Sequence, residues 1–276
     1  KSTLLRILSF IYWHLFSFVL GLSINKINYI LSPSPPLSIG FVSILIAKIK
    51  KAKIIYNVQE IYPDLLINQG SLKSKFIIKI LKRLEKFVYN NSNAVITIDQ
   101  QFFDQIKDRF KSVQKLNIIP NFVDTQAIVP MSRMTSYRRE LGIDESLVVM
   151  YAGNVGFSQS LELLIETARA IPDVVVLING EGAARKYLDV AAQGLANVKF
   201  GDYQDVSRLS EVLATGDLHV VPLRRGLGSV SVPSKTYSIL AAARPICAAI
   251  DLDTEVPRIL AASNAGVCVE PDNSQA

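Results

Sequence analysis

The sequence predicts an α/β protein made of two Rossmann-like, doubly wound domains facing a cleft. Three observations carry that prediction. Short apolar runs rich in Val and Ile alternate with helix-length segments along the 276-residue chain, the pattern of parallel strands covered on both faces. The alternation restarts after a polar, proline-containing stretch that runs from Asn121 to Ser132. The charge divides near the same place: residues 1–126 hold 17 Lys and Arg against 7 Asp and Glu, whereas residues 127–276 hold 13 against 17. The expected domains are therefore 1–126 and 127–276, the first basic and the second mildly acidic.

The elements follow in order. The apolar run 4–22 is nearly long enough to span a bilayer, but it contains Arg6 and His14. A core or membrane-surface helix is the preferred reading, with a spanning anchor and a secretory signal as alternatives. Strands are expected at 28–31, 53–58, 94–98 and 116–119, with helices over 37–50, 73–90 and 100–111. The second series expects strands at 147–152, 174–179, 198–201, 218–222, 245–250 and 266–269. Its helices are expected at 158–171, 182–193, 205–214, 234–243 and 254–262. Over 71–91, Phe76, Ile77, Ile80, Leu81, Leu84 and Val88 share one face and lysines fill the rest. That pattern fits a helix on anionic lipid as well as a core helix with a solvated face.

Composition narrows the function classes. Cys247 and Cys268 lie in apolar runs and read as buried thiols, with neither a disulfide scaffold nor zinc spacing. His14 and His219 are too few and too distant for a histidine metal centre or a Ser-His-Asp triad. The basic half lacks the aromatic and glycine pattern of an RNA module, so an anionic membrane is preferred to nucleic acid as its partner.

Ligands of doubly wound sheets bind at the carboxyl ends of the strands, so the loops there are the candidate sites. Residues 151–164 read as strand, glycine loop and helix. Gly153 and Gly156 allow close backbone approach, Ser158 is the expected N-cap, and Asn154 and Gln159 flank the turn. In 178–188, Gly180 and Gly182 bracket Glu181 and leave room for a flat base. In 220–235, Arg224, Arg225, Ser234 and Lys235 converge with helix N–H groups on a site suited to a diphosphate. In the first half, the loop 57–70 carries Glu60 and Asp64, both expected to face the cleft, and Ser32 to Pro36 stiffen the preceding loop.

In their order, SPSPPLSIG, NVQEIYPD, IIPNFVD, YAGNVG, INGEG, NVKFGDY, VPLRRG, VPSK, LAAARPI and VEPDN resemble the family-four glycosyltransferases of the GT-B fold. The subgroup is the one that builds capsule, O-antigen and exopolysaccharide sugars. The resemblance spans nearly the whole chain and implies that the chain is truncated at both ends. It implies a nucleotide-diphosphate sugar in the second domain, with a UDP-sugar favoured, and a polyprenyl-linked or glycan acceptor in the first. Transfer would retain anomeric configuration, without metal or other cofactor, at the cytoplasmic face of the membrane. Carried over by motif, Lys235 and Arg224 contact the diphosphate, while Gly180–Gly182 and Gly201–Tyr203 line the base. Glu60 sits near the transferred sugar. Where relatives carry two glutamates, this chain has Val230 and Ser238, leaving Glu255 as the substitute ribose contact. Asn154 and Gln159 stand for an Arg and a Lys, and Ala243 for a helix-ending glycine. A nucleotide-sugar 2-epimerase of the same fold, or a non-catalytic nucleotide-sugar-binding or membrane-docking subunit, are the alternatives.

Overall fold

The computed structural model describes residues 3–143 and 145–273. The side chain of Arg6 lies outside the described residues. The chain separates into two compact units, Lys1–Pro120 and Asn121–Ala276. Residues 121–126, expected at the end of the first domain, thus belong to the second. Asp124 opens a turn there, its carboxylate accepting from Gln126 N at 2.8 Å. The turn is then tied into the second unit, where Val129 N donates to Ser210 Oγ and Ser210 Oγ donates to Ala127 O.

The first unit runs α1 (Thr3–Ser23), β1 (Tyr29–Ser34), α2 (Leu37–Lys50), β2 (Lys53–Val58), α3 (Asp64–Asn68), α4 (Lys75–Asn91), β3 (Ala94–Thr97), α5 (Gln100–Ile106) and β4 (Leu116–Ile118). Among the described residues its sheet has the order β1-β2-β3-β4, all parallel. One sheet face, with Ile54, Tyr56, Val58, Val95 and Thr97, is buried together with Ile44 of α2 and Val88 of α4. Helix starts follow their caps: Ser74 Oγ accepts from Ile77 N and Asp99 Oδ1 from Phe102 N.

Two helices expose apolar side chains. In α4 the inward face is Glu85, Val88 and Tyr89, whereas Phe76, Ile77 and Ile80 are exposed, Phe76 to 73%. In α1 most apolar side chains from Phe10 to Leu20 are exposed, while His14 bridges to α2 through Ser38 Oγ at 2.8 Å. Among the described residues no helix is long and apolar enough to cross a membrane.

The second unit runs α6 (Ser136–Glu140), β5 (Leu147–Ala152), α7 (Glu162–Ala170), β6 (Val174–Asn179), α8 (Arg185–Ala191), β7 (Val198–Gly201), α9 (Leu209–Thr215), β8 (Leu218–Pro222), α10 (Lys235–Ala241), β9 (Ile246–Ala249), α11 (Glu255–Ser263) and β10 (Gly266–Val269). Its parallel strands have the order β10-β9-β8-β5-β6-β7 among the described residues. Strand order therefore reverses between β5 and β8, the topological switch point at which such sheets open a crevice. Two apolar layers flank the sheet. One joins Tyr151, Leu164 and Ile178, and the other joins Tyr137, Met150 and Leu177. His219 is fully buried beside Leu213 O, and burial pushes its imidazole down to about 4. It is a neutral core residue.

Candidate functional site

The switch point of the second unit carries a pocket of about 260 Å³. Its walls come from the ends of β5 and β6 (Gly153, Asn179), the loop after β7 (Tyr203 to Val206), α9 (Leu209) and the start of α10 (Lys235, Ser238). Lys235 is the first residue of α10, and Ser234 precedes it at the N-cap position without a side-chain cap bond. The Lys235 ammonium lies over the Tyr151 ring, 3.7 Å from its centroid. Burial pushes the ammonium down to about 7. Among the described residues no carboxylate pairs with it. The Tyr151 hydroxyl donates to Asn154 O at 2.6 Å, which fixes the ring under the cation. Tyr151 escaped sequence reading because its apolar run marked it only as a strand residue.

Glycine is required here by Lys235 and by the neighbouring loop. Gly153 has φ +139°, and a Cβ there would lie 3.0 Å from Lys235 Nζ. A Cβ on Gly180 would lie 2.0 Å from Gly153 O, and one on Gly182 would lie 2.2 Å from Val155 O. The loops after β5 and β6 continue the ladder, with Gly153 N donating to Asn179 O and Val155 N to Glu181 O, both at 2.9 Å. Gly180 and Gly182 thus serve loop-to-loop packing, and they are not among the residues that line the Lys235 pocket. Gly156 faces Gln159, whose side-chain oxygen a Cβ there would approach to 2.7 Å.

The remaining expected residues divide. Tyr203 joins Lys235 in the pocket. Glu181 is exposed and lies 3.7 Å from Arg185, which also donates to Gly180 O and so binds the glycine loop to α8. Arg224 does not line this pocket. Its guanidinium donates to Phe157 O and Glu162 Oε1, both at 2.6 Å, and its backbone N donates to Ser158 O. Ser158 accordingly does not cap α7, which begins at Glu162 after Ser160 turns left-handed at φ +45°. Arg225 pairs with Glu270 at 3.0 Å, and Glu255 lies 3.8 Å from Arg258 at the start of α11. Neither reaches the pocket. Asn154 is exposed and Gln159 half-buried in the β5 loop. Among the described residues no cluster of His, Cys, Asp or Glu is arranged to hold a metal ion.

In the first unit, Glu60 lies between β2 and α3, its carbonyl accepting from Ser34 Oγ at 3.0 Å. Asp64 is not an open loop carboxylate. It is buried and paired with Arg109 and Lys82.

Residues 146–276 match the family described as Glycosyl transferases group 1. That span covers most of the second unit and just under half of the chain. The family expected from the motifs is therefore the one found. A relative from Escherichia coli (strain K12), WcaI, named for a colanic acid biosynthesis glycosyl transferase, is 26% identical over 243 residues. That match covers 84% of this chain and 60% of the relative. An alpha-galactosylglucosyldiacylglycerol synthase from Streptococcus pneumoniae is 24% identical, over 56% of this chain and 44% of its own length. Among solved structures, Anabaena Alr3699/HepE in complex with UDP and glucose superposes with a TM-score of 0.70 at 16% identity. That superposition covers 89% of this chain and 65% of that one. Sucrose-phosphate synthase from Thermosynechococcus elongatus gives 0.71 at 18% identity, over 90% and 62%. The fold is that of the GT-B glycosyltransferases. The matched span carries the Lys235 pocket at its switch point, and the chain spans about 60% of the WcaI length.

Proposed function

We propose that the protein belongs to a glycosyltransferase that moves a sugar from a nucleotide-diphosphate sugar to a lipid-linked or glycan acceptor with retention. The observation that carries this reading is the Lys235 ammonium, held over Tyr151 beside Gly153 with no carboxylate partner among the described residues. A cation so placed at a switch point supplies what a departing diphosphate needs, because a fixed donor stabilises charge as it develops. UDP is the favoured nucleotide, in keeping with the UDP bound in the HepE structure. Tyr203 and the loop that follows it would line the base, and Ser238 would stand by the ribose. Arg224 joins Lys235 on the diphosphate only if it exchanges Glu162 for phosphate, and Arg225, Ser234 and Glu255 are second contacts on this reading. Glu60 lies on the acceptor side in the first unit.

The first unit has the character of a surface bound peripherally to the inner face of the cell membrane. Exposed Phe76, Ile77 and Ile80 stand among Lys73, Lys75 and Lys79, and α1 exposes further apolar side chains. Such a face combines insertion with attraction to anionic lipid.

Lys235→Ala tests the donor assignment. Charge-assisted contacts contribute about 1.5–3 kcal/mol, so UDP-sugar affinity should fall roughly 10- to 150-fold by calorimetry. Unchanged affinity in a folded variant would remove Lys235 from the site.

A further inference from the structure

The first unit contains a charged cluster that the transfer reaction does not use directly. Arg109, in a short 3-10 turn after α5, donates through Nη2 to Asp64 and through Nη1 to Glu85. Lys82 Nζ reaches the other Asp64 oxygen at 3.0 Å, and the Tyr89 hydroxyl donates to Glu85 at 3.1 Å. Glu85 is 1% exposed and Asp64 9%. Taking ions out of water costs several kcal/mol each, and removing one partner of such a pair is more damaging still. A merely stabilising contact here would be replaceable by apolar packing. What an ion pair adds is a fixed distance and direction.

Asp64 is where that direction is applied. It is the first residue of α3 and closes the loop that begins after Val58 and carries Glu60. The loop is held at Glu60 O by Ser34, and its exit turn is built from Leu65 N to Ile61 O and Ile67 N to Pro63 O. Arg109 comes from a segment 45 residues further along the chain, so it fixes Asp64 against α4 and the turn after α5 together. We propose that Arg109 is a positioning residue that, through Asp64, holds the Glu60 loop in place for the acceptor side of the reaction. The inference rests on the acceptor-side reading of Glu60 and goes beyond it by naming the group that sets the loop. Burial raises the Glu85 carboxyl to about 7, and Arg109 works against that rise. The same guanidinium thus bonds both carboxylates, tying Asp64 to Glu85 of α4.

The test is hydrogen exchange followed by mass spectrometry on the full chain, comparing wild type with Arg109→Lys, Arg109→Gln and Asp64→Asn. Asp64→Asn leaves the Arg109–Glu85 pair intact, so it remains informative if Arg109→Gln fails to fold. Expected is exchange about ten times faster in residues 59–68 for Arg109→Gln and Asp64→Asn, with much of the protection restored in Arg109→Lys and the second unit unchanged. Unchanged exchange at 59–68, or an acceleration spread evenly over the first unit, overturns the clamp. Kinetics then separate the clamp from the reading it rests on. Misplacement of a reacting group by about 1 Å can cost roughly 100-fold, so acceptor-dependent kcat/KM should fall in that range in Asp64→Asn, with UDP-sugar affinity intact. A Glu60→Gln variant that transfers at the wild-type rate would remove Glu60 from the acceptor side while leaving the exchange result standing.

Discussion

On the proposed reading, Lys235 is the side chain that meets the diphosphate in the second unit. Burial holds its ammonium near 7 when nothing anionic is bound, whereas an anion beside it restores the charged form. Binding UDP at pH 8 should therefore take up a proton, and affinity should weaken as pH rises above 7. Calorimetry in two buffers of different ionisation enthalpy measures that uptake directly, and its absence in wild type would separate Lys235 from the diphosphate. The same depressed value affects folding. The folded chain binds fewer protons here than the unfolded one, so this group costs stability below about 7 and the cost fades as pH climbs toward its ordinary 10.5. Glu85 has the opposite displacement. Its folded carboxyl is raised from 4.5 to about 7, so stability contributed there is full below 4.5 and is lost as pH rises to about 7. Sequence reading placed Lys235 at a helix start but gave no sign of Glu85. A glutamate among lysines on an amphipathic helix looks solvated, and its partner Arg109 lies 24 residues away.

At the scale of elements, strand positions were legible because parallel strands buried on both faces leave continuous Val and Ile runs. Helix boundaries were less so. The turn at 157–159 and the left-handed Ser160 displace the start of α7 to Glu162, and nothing in local composition marks that displacement. In α4 the apolar stripe was visible but its inward part was not, because whether a residue faces the sheet depends on how far the helix overhangs it. The glycines were found for an incomplete reason: they serve backbone packing between two loops as well as access to the pocket. Gly180→Ala should cost about 2–4 kcal/mol, from overpacking against Gly153 O and from strain at φ +136°. Denaturant unfolding checks it, and a change below half a kcal/mol would show that the loops yield. Ala243 has φ +53° where α10 ends, with Arg244 N donating to Ile239 O. The motif's missing glycine is thus a real left-handed position. Ala243→Gly should raise stability by up to about 1 kcal/mol, relief of left-handed strain outweighing unfolded-state entropy. A loss of stability would contradict that balance.

For the whole molecule, charge asymmetry was fully readable from composition, and it divides between two units that each close their own sheet. If the basic unit docks on lipid, sedimentation with vesicles rich in phosphatidylglycerol should exceed that with neutral vesicles and fall between 0.05 and 0.5 M salt, roughly 1 kcal/mol per engaged lysine being screened. Phe76→Asp should weaken binding in both salts. Salt-independent binding, or none, would leave α4 a solvated helix with an apolar end. The intermeshed loops after β5 and β6 also bear on how this architecture can diversify. Two loops whose backbones touch at glycines tolerate neither insertion nor larger side chains, so they are poor ground for new donor preferences. Tyr203 and Val206, both exposed, border the same pocket without such backbone contacts. If the pocket holds the nucleotide as proposed, selection for a different one, in nature or in the laboratory, should leave its substitutions there first.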